Sequence, residues 1–352
     1  HVLTAIDIFV LSFMCILTKL SESLNKKQKQ GFFLAFTLIA GISVLEVVTL
    51  AVNDMPSGLR WLNIVSNYLG FGLSPAVSLC LVYVLDKKTA LRRGFKAAVC
   101  CEIAYLIFLA LSIPYGLIFS VSADNVYARG KYFYIYVIVY FAAILYLSVS
   151  TIITGREFQN RSRALIYPLM LFLTAETVIQ IALPDLHVTW LCVTLLSVLY
   201  FTYCNEMWNQ LDALTGLLNQ NSYLNRTAEM SRSGGLLIVF DVDNFKQVND
   251  CYGHLQGDAC LAAIAACLKK AYACCGYCYR IGGDEFVAFC NAPASGQVKQ
   301  KIRNAKKRIE EKGYHISVGM ESMKNKPFIY EMVKQAERNM FEAKRSYHED
   351  TG

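Results

Sequence analysis

The chain has 352 residues, 55% of them hydrophobic and only 17% charged, with a formal net charge of +7. That composition excludes disorder, a collagen-like fibre and a small disulfide-stapled secreted scaffold, and the length calls for two or more units. The charge is unevenly spread: charged residues make up about 12% of positions 1–211 and about 25% of 212–352, a membrane-like half followed by an ordinary soluble one. Nucleic acid is not an expected partner, because the excess cations sit mostly in short loops between apolar runs. Opening at His1 without Met, the sequence reads as a fragment or processed form. No basic segment precedes the first apolar run, so a signal peptide is not expected.

Seven apolar runs are long enough to cross a bilayer as helix: 2–18, 31–52, 61–85, 97–122, 132–155, 165–184 and 190–208. Alternate loops carry Lys19, Lys26, Lys27 and Lys29, then Lys87, Lys88, Arg92, Arg93 and Lys96, then Arg156, Arg161 and Arg163. The other loops hold only Arg60, Arg129 and Lys131. This asymmetry predicts an outside N-terminus in the cytoplasmic (inner) membrane and, with seven spans, a cytoplasmic segment after 208. The acids within the runs include Asp7, Glu46, Glu102 and Glu176. They suit either a ligand pocket or proton-sensing cluster, or polar packing between helices, with Asp7 close enough to an interface to stay wet. Cys100 and Cys101 are expected to pack between helices. The last run reaches Asp212 with no Gly/Ser/Pro linker and no heptad run long enough for a coiled coil.

From 235 onward strands and helices alternate. Gly235–Asp241 is a short continuous apolar run, the mark of a central strand. A helix follows at 258–270, with Leu261, Ile264, Cys267 and Leu268 on one face. Tyr277–Ile281 and Phe286–Cys290 flank a Gly-Gly turn as a hairpin. A helix at 296–312, a strand at His315–Met320 and a helix at 327–346 complete an α+β domain around one antiparallel sheet. Seven cysteines in this half are expected to stay reduced in a cytosolic setting. Cys275 and Cys278 form a lone C-x-x-C, which makes no zinc site by itself.

The carboxylates carry the chemistry. Asp241 ends the central strand, and Asp284 and Glu285 sit at the hairpin tip. Antiparallel pairing would bring them together, where mutual repulsion demands a cation. Hard oxygen ligands with open positions suit Mg²⁺ completed by substrate phosphates. Two such ions can acidify an attacking hydroxyl and stabilise a leaving oxygen.

Over 212–348 the sequence resembles the GGDEF domain of diguanylate cyclases. The matching elements are Asp212-Ala-Leu-Thr-Gly-Leu217 with Asn219, Asp241-Val-Asp-Asn-Phe-Lys-Gln-Val-Asn-Asp250, Gly253-His254 and Gly257-Asp258. Arg280-Ile-Gly-Gly-Asp-Glu-Phe286, Ser317-Val-Gly319 and Ala343-Lys344 follow in family order. The resemblance implies a ferredoxin-like, palm-type sheet flanked by helices, in a domain at 209–352 behind a transmembrane sensory domain at 1–208. It implies condensation of two GTP into cyclic di-GMP with release of two pyrophosphates, by a homodimer in a lipid bilayer responding to an unknown small-molecule or physical signal.

By the same resemblance, Asp241, the carbonyl of Val242 and Asp284 hold Mg²⁺, two per site, with Mn²⁺ able to substitute. Asp284, with Glu285 beside it, accepts the ribose 3′-hydroxyl proton, and Lys246 offsets developing charge. Asn249 and Asp258 read guanine, Phe245 and His254 contact substrate, and Lys344 reaches the terminal phosphates. Taken singly, Asp258 also fits a helix cap near Ala259, and His254 turn packing. The sequence departs from the family at Gln220 and Asn221, where an Arg pair is usual, and at His348, where Arg is usual. At the spacing of the family's product-binding Arg-x-x-Asp stand Ala273 and Gly276, which predicts no product inhibition of the usual kind. Arg280 is expected to serve local structure. The rival readings are a degenerate domain that binds GTP or partners without catalysis, and a transporter with an appended regulatory domain.

Overall fold

The computed structural model describes residues 2–53, 55–85, 89–157, 166–182, 189–233, 235–272, 276–290, 295–322 and 329–351. Lys87, Lys88, Arg161, Arg163, Ala273, Cys274 and Cys275, and the side chains of Arg92, Glu176 and His348, lie outside the described residues. The chain divides into two compact units, His1–Trp208 and Asn209–Gly352.

The first unit is helical: α1 (Val2–Leu20), α2 (Lys26–Val52), α3 (Arg60–Val84), α4 (Thr89–Ser112), α5 (Tyr134–Glu157), α6 (Ile166–Ala182) and α7 (Thr189–Asn209). Five segments, within Val2–Leu20, Lys26–Val52, Ser57–Val84, Arg93–Tyr115 and Tyr134–Arg156, are long and apolar enough to cross a membrane. α2 starts from a capping box in which Asn25 accepts from the Gln28 N–H and Gln28 accepts from the Asn25 N–H. Pro75 lies inside α3 and cannot donate to the Phe71 carbonyl. The Tyr105 hydroxyl of α4 donates to that carbonyl instead, at 3.4 Å.

The expected run at 97–122 is not one helix. α4 ends at Ser112, and a short 3₁₀ turn at Ile113–Tyr115 leads to β1 (Phe119–Val121) and β2 (Tyr127–Arg129), an antiparallel hairpin. Pro114 cannot continue the helix, and Gly116 at φ 59° takes the left-handed cap. Asn125, at the hairpin turn, donates to the carbonyls of Val52 (2.6 Å) and Met55 (3.2 Å). It accepts in turn from Asn63, which accepts from Asn67. The Arg60 guanidinium donates to the carbonyls of Val121 and Ser122. The hairpin is therefore tied to the ends of α2 and α3 by buried amides.

Two expectations are corrected. Asp7 is not wet: it is buried and accepts from the Ser43 hydroxyl of α2 at 3.0 Å. Cys100 and Cys101 do not pack between helices: both are exposed, because α4 turns Glu102, Tyr105 and Leu109 inward and the cysteines stand off that face.

The second unit contains α8 (Gln220–Ser233), β3 (Leu236–Val242), α9 (Phe245–Tyr252), α10 (His254–Tyr272), β4 (Gly276–Arg280), β5 (Glu285–Cys290), α11 (Ser295–Glu310), β6 (Ile316–Ser322) and α12 (Ile329–Thr351). The sheet is antiparallel in the order β4-β5-β3-β6. Every residue of β3 is buried, because both faces of the sheet are covered. Ile238, Phe240 and Val242 pack with Leu261, Ile264 and Leu268 of α10 on one side. Leu237 and Val239 pack with Ala336 and Met340 of α12 on the other. This double coverage explains an apolar run without alternation. α10 begins at His254, four residues earlier than expected, so Asp258 lies inside the helix and is no cap.

Candidate active site

The site grows from the ends of β3 and β5. Their register sets Asp241 opposite Glu285, and the Val242 N–H donates to the Asp284 carbonyl at 3.3 Å. The turn is closed by Ile281 N–H donating to the Glu285 carbonyl at 3.0 Å. Three carboxylates thus share one end of the sheet. Burial raises the Asp241 pKa above its ordinary value, and neighbouring Asp284 and Asp243 add to it, while Lys344 pulls it down. Glu285 is raised likewise by burial, then by Asp241, Asp284 and Glu337, against Lys344. The excess of negative charge is a standing demand for cations.

Lys344 of α12 meets that demand in part, forming an ion pair with Asp241. The ammonium was expected at terminal phosphates, and the structure places it in the acid cluster. Its delivery depends on a close approach: a Cβ at Gly319 of β6 would lie 1.9 Å from the Ala336 carbonyl oxygen, so only glycine lets α12 lie this near. That accounts for the Gly of Ser317-Val-Gly319. The Ser accounts for itself by donating to Asp243 at 2.7 Å, which makes Asp243 a buried structural acid beside the site.

The Gly-Gly turn is braced from outside. The Arg280 guanidinium donates to the Gly283 carbonyl at 2.7 Å and, through Nη1, to both oxygens of Asp212 at 3.1 and 3.2 Å. Burial works against the Asp212 carboxylate, but hydrogen bonds from Thr215 and the Arg280 charge outweigh it and hold its pKa low. Leu218 exchanges backbone hydrogen bonds with Cys278 and Arg280, at 3.1 and 2.8 Å. The segment around Asp212-Ala-Leu-Thr-Gly-Leu217 therefore covers the β4 edge and fixes the turn. Arg280 serves local structure, and its Asp212 partner is a residue that sequence reasoning left without a role.

Beyond β3, Asn244 adopts φ 58° and turns the chain into α9. Phe245 and Asn249 are half-buried on α9, and Lys246 is exposed. A Cβ on Gly257 would fall 2.0 Å from Asn249 Oδ1 and 3.4 Å from the Phe245 ring. Gly257 thereby lets Asn249 and Phe245 nest against the first turns of α10, next to Asp258. His254 and Asp258 are exposed on α10. The structure brings Asp241, Asp284, Glu285 and Lys344 together as one cluster, and Phe245, Asn249 and the Asp258 backbone as another. Lys246, His254 and Asp258 make no side-chain hydrogen bond or ion pair among the described residues. Glu337 of α12, which adds to the repulsion at Glu285, was not anticipated, since no motif marks it.

Among the described residues no three His, Cys, Asp or Glu side chains converge into a complete metal cage. The donor set still fits Mg²⁺: two carboxylates that repel each other and a backbone carbonyl are hard oxygens that leave coordination positions for phosphates.

Residues 209–350 match the family model described as diguanylate cyclase, GGDEF domain. A diguanylate cyclase of Shewanella oneidensis, DgcS, is 33% identical over 152 residues, 40% of this chain and 51% of that protein. An uncharacterized membrane protein of Staphylococcus aureus (strain USA300) is 27% identical over 243 residues, 66% of this chain and 65% of its own length. That alignment is longer than the second unit and so extends into the apolar helices. A solved structure of a sensory box/GGDEF family protein from Caulobacter crescentus is 28% identical, covering 39% of this chain and 99% of that one, with a TM-score of 0.35. The chain spans about half the length of the Shewanella relative. Its second unit is a GGDEF domain with diguanylate cyclase homologues, carried behind several apolar helices that fit a membrane-anchored member of that family.

Proposed function

We propose that the chain is a membrane-bound diguanylate cyclase that joins two GTP into cyclic di-GMP with release of two pyrophosphates, under control of a signal received by residues 1–208. The observation that carries this reading is the register of Asp241 against Glu285 beside the Gly-Gly turn, in a domain matched over 209–350. Asn249 and Asp258 recognise guanine: an amide and a carboxylate complement its carbonyl, N1–H and amino edge. Phe245 and His254 line the same approach. Asp284, with Glu285 beside it, accepts the proton of the 3′-hydroxyl as its oxygen attacks the α-phosphorus of the second GTP. Lys246 offsets the charge that develops as pyrophosphate leaves. Lys344, already at the acid cluster, can exchange Asp241 for a terminal phosphate.

Mg²⁺, two ions per site with Mn²⁺ able to replace them, would be held by Asp241, the Val242 carbonyl and Asp284, and would supply phosphate neutralisation and a more acidic hydroxyl. Each domain binds one GTP, so catalysis needs two domains face to face in a homodimer. The loop charges favour seven crossings of the cytoplasmic membrane, with the N-terminus outside and the GGDEF domain in the cytoplasm. A second reading, a GTP- or partner-binding domain without catalysis, draws on the Lys344–Asp241 ion pair and on Gln220 and Asn221. The test is nucleotide analysis after membranes carrying the full chain are mixed with GTP and Mg²⁺. Cyclic di-GMP is the expected product; bound GTP with no product would establish the second reading.

A further inference from the structure

We propose that the helical unit holds a binding site for a small, uncharged aromatic molecule bearing a hydrogen-bonding group. The site is a half-open cavity of about 270 Å³ lined by residues of α2, α3, β2, α5 and α7. An apolar cavity of about 150 Å³ takes benzene, so this one has room for about two fused rings. Its walls are aromatic, including Phe71, Tyr127, Phe133, Tyr136 and Trp190. The Phe71 ring meets Tyr136 edge-on at 4.8 Å and Phe133 at 5.7 Å, which fixes the wall in place.

The polar groups at the cavity select the ligand. Ser66 and Thr189 both line it, Ser66 is 2% exposed, and their hydroxyls have no hydrogen-bond partner among the described residues. A buried hydroxyl without a partner is costly, and a ligand donor or acceptor recovers that cost. The charged groups at the wall are Glu46 and Arg129, of opposite sign, and each already has a partner. Arg129 stands over the Phe133 ring at 4.8 Å. The lining therefore sums to zero and offers no spare charge, which disfavours an anion or a cation. All the lining segments come from one end of the bundle: the C-terminal part of α2, the N-terminal part of α3, β2, and the first turns of α5 and α7. This site does not depend on the catalytic reading.

The test is equilibrium dialysis of tritiated 2-naphthol against the full chain in lipid nanodiscs, with empty discs as background. A single saturable site is expected, with unlabelled 2-naphthol competing at least about tenfold better than naphthalene or 2-naphthoate. Ser66→Ala should weaken binding about fivefold by removing a partner hydroxyl. Gly70→Leu should weaken it by at least as much, since Gly70 lines the cavity and a Cβ there meets nothing within 4 Å. Phe13→Ala, on an exposed face of α1, should leave it unchanged. Uptake no greater than into empty discs, equal competition by 2-naphthoate or naphthalene, or full affinity in both cavity variants would overturn the proposal.

Discussion

The two units are built inside out with respect to each other. In the helical unit large apolar side chains such as Phe9, Leu111 and Leu171 face outward, while Asn63, Asn67, Asn125, Ser150 and Thr194 are buried. In the GGDEF unit Leu224, Tyr252, Leu255 and Phe341 are the exposed large apolar residues among those described, and the buried polar groups reduce to a few, among them Asp241, Asp243 and Ser317. The solvent sets this difference. Lipid rewards apolar surface everywhere and leaves polar groups to find partners within the bundle, whereas water rewards the reverse. A buried polar group therefore means different things in the two halves. In the first it mostly holds helices together; in the second, Asp241, Asp243 and Ser317 gather at the end of β3, where the acid cluster lies.

The sharpest break of that contrast is at the acids. Asp241→Asn and Asp284→Asn should each lower cyclic di-GMP output by at least about 100-fold while leaving the fold intact. In wild type, added Mg²⁺ should raise the melting temperature by binding the folded state alone, and either variant should lose most of that rise. Wild-type output from either purified variant would sink the metal assignment. Next in size is nucleotide choice. Asp258 can accept from guanine N1–H and the amino group, whereas adenine N1 is itself an acceptor. GTP should be preferred over ATP by about 100-fold in a competition assay, and comparable incorporation of ATP would remove the role given to Asp258.

In the helical unit the expected effects are on stability. Asn125→Ala strips partners from Val52, Met55 and Asn63 and should cost about 2–3 kcal/mol in reversible unfolding in detergent. Phe13→Ala, at an exposed position, should cost less than about 0.5 kcal/mol. Equal costs would erase the inside-out distinction.

A smaller effect concerns pH. The raised pKa values of Asp241 and Glu285 mean that the folded unit holds their protons more tightly than the unfolded chain. Their ionisation opposes folding at neutral pH, and the opposition fades as pH falls through the raised values toward 3.8 and 4.5. Glu285→Gln should therefore melt at or above the wild-type temperature at pH 7 and gain less on acidification. A lower melting temperature at pH 7 with an unchanged pH slope would contradict this. The smallest expected effect is none: added cyclic di-GMP should not inhibit except by competing with GTP. Gly276 has no side chain to offer, and a Cβ there would fall 1.7 Å from the Phe289 carbonyl oxygen. Potent inhibition that excess GTP cannot relieve would reveal a product site elsewhere.

Sequence alone determined what short-range signals can carry. Composition separated the halves, continuous apolarity identified β3, and the Gly-Gly turn between two apolar runs gave the β4–β5 hairpin. Antiparallel pairing of β3 with the second hairpin strand was then expected to bring Asp241 to the hairpin tip, and the structure supplies that pairing. Tertiary structure decided whatever depends on partners far along the chain. Lys344 meets Asp241 across 103 positions because Gly319 lets α12 descend onto β6, and Arg280 reaches back 68 positions to Asp212. In the helical unit Pro114 could be seen, but not that the residues after it would fold into a hairpin held by Asn125. Nor could apolar runs, which look alike in any order, disclose which faces would line a cavity. Periodicity reports one element's own surface; packing chooses the surface that meets it.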